Sequence, residues 1–197
     1  MEIKVLSNKQ NAENTYIITE NGVSAVIDPG VSYDEISENA ENIRYILLTH
    51  CHYDHIDSLL ELKEKTGAMI VFSENNNLNN AEINLSSYVY GKNIGTEPDI
   101  LVGDGDTLEF LNIKCIKTEG HTSCGMCYLL DDKLFSGDTL FRDSVGRCDL
   151  PTGNFDMLKS SIINKLYTLP DDVIVYPGHG ESTTIGYEKK FNSFVRL

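Results

Sequence analysis

Residues 45–55 of the 197-residue chain read YILLTHCHYDH, an apolar run that leads directly into three histidines and an aspartate. A continuous apolar run of this length is typical of a strand that is buried on both faces of a sheet. Residues two apart in an extended chain point the same way, so His50 and His52 can share one metal ion. Asp54 and His55 lie where the chain turns into the next helix, so their side chains can serve a second ion. A single histidine here would favour a plain loop residue, whereas the cluster predicts two metal centres.

Three further candidate ligands lie later in the chain, each at the end of a strand pattern. His121 is part of GHT at 120–122, and His179 is part of PGHG at 177–180. Asp138 follows an apolar strand, where a carboxylate can bridge two cations. Imidazole and carboxylate ligands suit zinc, iron or manganese, and open coordination positions indicate catalysis rather than a structural zinc site.

Composition and charge restrict the class of protein. Hydrophobic residues make up 41% of the chain and charged residues 23%, values that are ordinary for a globular protein, and the length predicts a single domain over residues 1–197. A formal net charge of −14 opposes binding to nucleic acid. The sequence shows no signal-peptide pattern and no run that could span a bilayer, so we expect a cytoplasmic protein with no membrane partner and a small-molecule substrate. The five cysteines are an odd count and are expected to be free thiols.

Hydrophobic periodicity and turn residues predict an α/β (α+β) chain in which two mixed sheets carry helices on their outer faces. Asn21-Gly22 predicts a hairpin, and four residues at helical spacing predict a core-facing stripe on the longest helix: Phe155, Leu158, Ile162 and Leu166. We expect strands at 3–6, 15–19, 23–27, 45–48, 69–72, 107–110, 113–117, 126–130, 134–135 and 173–176, helices at 32–40, 59–67 and 155–169, at most a helix at 75–87, and a loop at 88–100.

At this point the sequence resembles the metallo-β-lactamase-fold superfamily, and within it the glyoxalase II-like (hydroxyacylglutathione hydrolase-like) branch. The resemblance covers nearly the whole chain and rests on motifs in the family's order: VIDPG at 26–30, THCHYDH at 49–55, GHT at 120–122, FSGDTLF at 135–141, GRCDLP at 146–151 and PGHG at 177–180. It implies a four-layer αβ/βα sandwich. By position, it also implies a first metal held by His50, His52 and His121, a second metal held by Asp54, His55 and His179, and Asp138 as the bridging ligand.

The same resemblance implies hydrolysis at a dinuclear site with a bridging hydroxide and with two divalent ions, of which zinc is expected first and iron or manganese also fit. Asp54 would be the catalytic residue, because it is placed to orient the attacking oxygen and to accept a proton. The expected substrate is a small thioester of the S-lactoylglutathione type, with Arg147 and Tyr53 as candidate contacts. For Arg147, a simple ion pair with Asp149 is the alternative.

Four other functions are considered from the sequence, and three of them are disfavoured. Persulfide dioxygenases resemble the same branch and use a single iron, which here would be held by His50 or His52 with His121 and Asp138. A true β-lactamase is disfavoured by the expected cytoplasmic location, and an inert metal-binding domain by the open site. The pair Cys124 and Cys127 has thioredoxin-like spacing but overlaps a strand pattern, which disfavours a redox role.

Overall fold

The computed structural model of the chain describes residues 1–74 and 96–197. The chain divides into two compact units, Met1–Val102 and Gly103–Leu197, and each contains one six-stranded sheet. Both sheets are mixed, as the sequence predicted. The helix considered at 75–87 lies outside the described residues, as does the first part of the loop expected at 88–100. Within the described ranges, no helix has the length and apolar character needed to cross a bilayer.

The sheet of the first unit follows chain order. Its strands are β1 (Glu2–Ser7), β2 (Asn14–Glu20), β3 (Val23–Ile27), β4 (Ile43–Leu47), β5 (Met69–Ser73) and β6 (Ile100–Val102). The first three are antiparallel neighbours, and β3 to β6 run parallel. Asn21 and Gly22 join β2 to β3 with φ values of 51° and 73°, as a tight hairpin turn requires.

The described residues of this unit also form α1 (Tyr33–Ser37), a 3-10 turn (Tyr53–His55) and α2 (Leu59–Thr66). The Ser32 hydroxyl caps α1 by accepting from the Glu35 amide. Gly67 ends α2 with a left-handed φ of 68°. Because β4 and β5 are parallel, α2 is the crossover between them, and it starts beyond the histidine-rich turn. That turn is therefore held at the carboxyl end of the buried strand β4.

The second unit contains eight strands, two helices and two short 3-10 turns. Its elements are β7 (Thr107–Leu108), a 3-10 turn (Phe110–Asn112), β8 (Ile113–Lys117), β9 (Met126–Leu130), β10 (Lys133–Gly137), β11 (Leu140–Phe141), β12 (Ser144–Val145), α3 (Phe155–Asn164), a 3-10 turn (Leu166–Thr168), β13 (Ile174–Pro177), β14 (Thr183–Thr184) and α4 (Ile185–Phe191). The sheet order is β14-β13-β10-β9-β8-β7, while β11 and β12 form a separate hairpin. In the sheet only the pair of β10 and β13 is parallel.

The predicted stripe on the longest helix is partly wrong. Leu158, Ile162 and Leu166 are fully buried, but Phe155 is 42% exposed because it is the first residue of α3, directly after the Asn154 cap. The helix also stops at 164 instead of 169, since Lys165 leaves the helical conformation with φ −121° and ψ −60°. A 3-10 turn follows and keeps Leu166 in the core.

Candidate metal centre

In the first unit, three histidine rings lie against one another at the end of β4. His50 is the central ring, with ring centroids 4.6 Å from His52 and 4.2 Å from His55. All three side chains are buried. Asp54 lies on the same 3-10 turn, and its Oδ2 is 4.0 Å from Nε2 of His55. The structure thus brings together the four candidate ligands that the sequence placed at 50–55.

The close approach of this turn to β3 depends on a glycine. A Cβ atom at Gly30 would overlap both the Asp54 carbonyl oxygen and the Glu13 carboxyl group. Only a residue without a side chain therefore fits below the turn that carries Asp54. This explains the glycine in the sequence Asp28-Pro29-Gly30.

Asp28 contacts the candidate ligands, and the sequence analysis gave it no role. Its Oδ1 accepts from the Thr49 amide at 2.8 Å, and its Oδ2 accepts from the Thr49 hydroxyl at 2.6 Å. The same Oδ2 lies 3.0 Å from Nδ1 of His55. Asp28, His50 and His55 place ligand-type atoms near one another. Because both oxygens of Asp28 already accept hydrogen bonds, we interpret it as a partner of the candidate ligands. Its position directly after the apolar strand β3 was the available signal.

These hydrogen bonds determine which nitrogen of two histidines is protonated. A carboxylate only accepts, so Nδ1 of His55 carries the hydrogen that points at Asp28. The Thr49 hydroxyl has already donated to Asp28, so it accepts at 3.0 Å from Nδ1 of His50. Both rings therefore keep the Nε2 lone pair for a metal ion, the arrangement in which an outer carboxylate orients histidine ligands.

A second acidic side chain is buried near this group. Burial raises the pKa of Glu13 to about 9, and the negative charges of Asp28 and Asp54 also raise it, whereas His55 lowers it. The Thr15 hydroxyl lies 3.3 Å from Glu13 Oε1 and donates to the Asp28 carbonyl at 2.7 Å. A neutral carboxylic acid is thus packed beneath the histidine-rich turn in the metal-free protein.

In the second unit, the remaining three candidate ligands meet at one carboxylate. Oδ2 of Asp138 lies 3.5 Å from Nε2 of His121 and 3.7 Å from Nε2 of His179. His121 is buried, while 27% of the His179 side chain and 12% of the Asp138 side chain are exposed. These separations are typical of atoms that bind the same ion or adjacent ions.

The loop after Asp138 orients the His121 ring. Nδ1 of His121 is 2.7 Å from the backbone carbonyl of Arg147, an acceptor only, so Nδ1 carries the hydrogen and Nε2 remains available to a metal. A Cβ atom at Gly146 would overlap the Asp138 carbonyl oxygen and press on His121 Nδ1. Gly146 is therefore required for this close approach.

The arginine proposed as a substrate contact already has a partner. Nε and Nη2 of Arg147 donate to the two carboxylate oxygens of Asp149 at 2.7 and 2.8 Å. This hydrogen bonding lowers the pKa of Asp149 to about 2. Arg147 is 61% exposed, so contact with substrate stays a prediction, as it does for the half-buried Tyr53.

Among the described residues, the groups of side chains that could hold a metal ion contain no cysteine. All five cysteines are free thiols, as expected, and four of them are buried, including Cys124 and Cys127. The Cys127 thiol packs against the Thr118 hydroxyl and the Ser136 carbonyl. The candidate donors are thus imidazole nitrogens and carboxylate oxygens, a set that fits zinc, iron or manganese.

The chain is similar to known proteins in both sequence and fold. The sequence model of the metallo-beta-lactamase superfamily matches residues 9–179. The hydroxyacylglutathione hydrolase GloC of Haemophilus influenzae is 33% identical over 189 residues, covering 87% of each chain. The solved structure of BLEG-1, a B3 metallo-beta-lactamase, is 29% identical with a TM-score of 0.89 and covers 98% of this chain and 99% of its own. TTHA1623, solved in a di-iron-bound form, is 28% identical with a TM-score of 0.82, covering 97% and 99%.

Proposed function

The chain belongs to the metallo-beta-lactamase superfamily, and we propose that it is a dinuclear metal-dependent hydrolase that cleaves small thioesters. The α/β fold of this superfamily, with two mixed six-stranded sheets and flanking helices, confirms the fold class predicted from the sequence. The two metal ions, their identity and the thioester are parts of the proposal.

One observation carries the proposal: three histidines, two from residues 49–55 and one that follows β8, each donate the Nδ1 hydrogen to an acceptor. His55 donates to Asp28, His50 to the Thr49 hydroxyl and His121 to the Arg147 carbonyl. Each ring then offers Nε2 in the unprotonated form that a metal requires. A histidine cluster that served only packing would not need the same tautomer three times.

We assign ligands by the positions that match the family pattern. His50, His52 and His121 would hold the first ion, Asp54, His55 and His179 the second, and the carboxylate of Asp138 would serve both. Two bound ions would lower the pKa of a coordinated water and polarise a substrate carbonyl. Zinc is the first expectation, with iron or manganese compatible with the same donors.

The catalytic residue of this proposal is Asp54. The 3-10 turn holds its backbone against Gly30, and 14% of its side chain is exposed, so the carboxylate is fixed but still accessible. Oδ2 can orient the attacking water and accept its proton. A departing thiolate, with a parent pKa of about 8.5, needs little protonation, so no separate general acid is required.

A second candidate is hydrolysis of β-lactams, favoured by the likeness to BLEG-1 over 98% of the chain. The leaving nitrogen of a lactam needs a proton more than a thiolate does. All five histidines are assigned as ligands here, which leaves none to supply that proton. For this reason we rank the thioester first.

The proposal is tested by assaying the zinc-loaded protein with S-lactoylglutathione and with a chromogenic cephalosporin. We expect thioester cleavage, its loss in the Asp54→Asn variant, and its retention in Asp57→Asn, because Asp57 is an exposed carboxylate three residues away. Turnover of the cephalosporin alone would favour the second candidate. Full thioester turnover by Asp54→Asn would refute the role of Asp54.

A further inference from the structure

A fully buried carboxylate lies on α4, away from every proposed ligand in the sequence. Oε1 of Glu188 accepts from the Thr183 hydroxyl at 2.6 Å. Oε2 accepts from Asn192 Nδ2 at 2.8 Å and from the Asp143 amide at 3.1 Å. Burying a carboxylate is costly unless its oxygens are hydrogen-bonded, and here both are. These three hydrogen bonds indicate that Glu188 holds specific neighbouring segments and does not only fill space.

Glu188 is linked to the β11–β12 hairpin in two ways, directly through the Asp143 amide and indirectly through Asn192. Asn192 Nδ2 also donates to the Ser144 carbonyl at 3.0 Å, so the turn is bound at adjacent residues, Asp143 and Ser144. Asp143 has a left-handed φ of 61°, and its carboxylate accepts from the Tyr187 hydroxyl at 3.0 Å. A backbone in this conformation is held by its surroundings, and α4 provides them.

The hairpin is connected to two proposed ligands, Asp138 and His121. It starts two residues after Asp138 and ends at Val145, directly before Gly146 and Arg147. Gly146 packs against the Asp138 backbone, and the Arg147 carbonyl accepts from His121 Nδ1. A shift of the hairpin would therefore move the acceptor that orients the His121 ring.

The third bond of Glu188 reaches the strand that follows His179. Thr183 begins β14, where it pairs with Val175 of β13. The Glu188 carboxylate thus binds two elements that each follow a proposed ligand: the hairpin after Asp138 and the strand after His179.

We propose that Glu188 is a positioning residue that holds the β11–β12 hairpin and β14 so that His121, Asp138 and His179 are arranged for metal binding. This inference rests on the proposed function for the identity of the ligands. Glu188 acts through the backbone of Asp143 and the hydroxyl of Thr183, not through contact with the metal. Outer-shell groups of this kind change metal affinity by about 10- to 100-fold.

Three variants separate positioning from general stability. Glu188→Ala removes all three acceptor interactions. Glu188→Gln keeps the shape: its amide oxygen accepts from Asp143 and Asn192, and its amide nitrogen donates to the Thr183 hydroxyl, which can accept. Leu166→Ala, in the core of the same unit, is the control, because it destabilises the fold without removing the hydrogen bonds of Glu188.

Zinc affinity is measured by competition with a chelating dye, and backbone amide exchange of residues 139–148 is measured on the metal-free proteins. We expect Glu188→Ala to weaken zinc binding at least about tenfold and to accelerate exchange in the hairpin. Glu188→Gln should restore both to within about threefold of the wild type, and Leu166→Ala should leave both close to wild type under native conditions.

Unchanged hairpin exchange or zinc affinity in Glu188→Ala would overturn the inference, as would equal losses in Leu166→Ala. Wild-type protein that binds zinc but cleaves no thioester would refute only the proposed substrate. A wild type that binds no zinc would refute the proposed function. The role of Glu188 in holding the hairpin would still be tested, because amide exchange is measured on the metal-free proteins.

Discussion

Replacing Asp28 with asparagine should change the tautomer of two proposed ligands without changing the size of any side chain. The left-handed φ of 50° at this position suits asparagine as well as aspartate. To keep accepting from the Thr49 amide, the new residue must place its amide nitrogen where Oδ2 now lies. That nitrogen donates, so Nδ1 of His55 must become an acceptor and the hydrogen must move to Nε2.

The same change reaches His50 through Thr49. The Thr49 hydroxyl, which now donates to Asp28, would accept from the new amide and donate to Nδ1 of His50. Both rings would then present a protonated Nε2 to the metal. With about 10- to 100-fold for each ligand, Asp28→Asn should weaken zinc binding by roughly 10²- to 10⁴-fold. Thr49→Val removes the acceptor of His50 Nδ1 and one donor to Asp28, but leaves the hydrogen bond between His55 and Asp28, and should cost about 10- to 100-fold.

Zinc competition titrations of wild type, Asp28→Asn and Thr49→Val measure this difference, with circular dichroism to show that the fold is kept. Asp99→Asn is the control, because Asp99 is an exposed carboxylate that pairs with Lys63. Equal zinc affinity in wild type and Asp28→Asn would refute the tautomer argument. A loss in Thr49→Val as large as in Asp28→Asn would place the whole effect on His50.

Three other predictions follow from individual side chains. His55→Ala should abolish hydrolysis and lower the zinc stoichiometry while circular dichroism stays native, and a variant with full turnover would contradict the two-metal site. Glu13 keeps its proton in the folded metal-free protein up to a pKa of about 9 but loses it near 4.5 when unfolded. The metal-free wild type should therefore lose stability relative to Glu13→Gln as pH rises through this window, by at most about 1.4 kcal/mol per pH unit. Parallel pH dependences of stability in the two proteins would contradict the buried neutral acid. Arg147→Ala removes an exposed ion pair that water screens, so the melting temperature should change little. A raised KM at constant kcat would identify Arg147 as a substrate contact.

Local sequence signals predicted the first half of the candidate site because its ligands are close together in the chain. A buried strand followed by alternating histidines leaves few other arrangements, and the structure places His50, His52, Asp54 and His55 together as expected. The apolar run also predicted the parallel strands on either side of α2. In both cases the prediction used only residues that are close together in the sequence.

The partners of the ligands could not be predicted, because they depend on contacts between distant segments. Asp28 reaches His55 across 27 positions, and Glu188 reaches Asp143 across 45. The β11–β12 hairpin has strands of two residues, too short for a periodic pattern, and α4 was not expected at all. The strand expected at 107–110 stops at Leu108, since Leu111 and Asn112 both adopt positive φ.

The central claim is that this chain binds two metal ions with seven histidine and aspartate side chains. Elemental analysis of protein purified without added metal, expressed as ions per chain, tests it most directly. The proposal predicts close to two ions of zinc, iron or manganese per chain, falling to about one or fewer in His55→Ala. A single iron per chain, unchanged in His55→Ala, would contradict the dinuclear hydrolase and favour the mononuclear-iron dioxygenase.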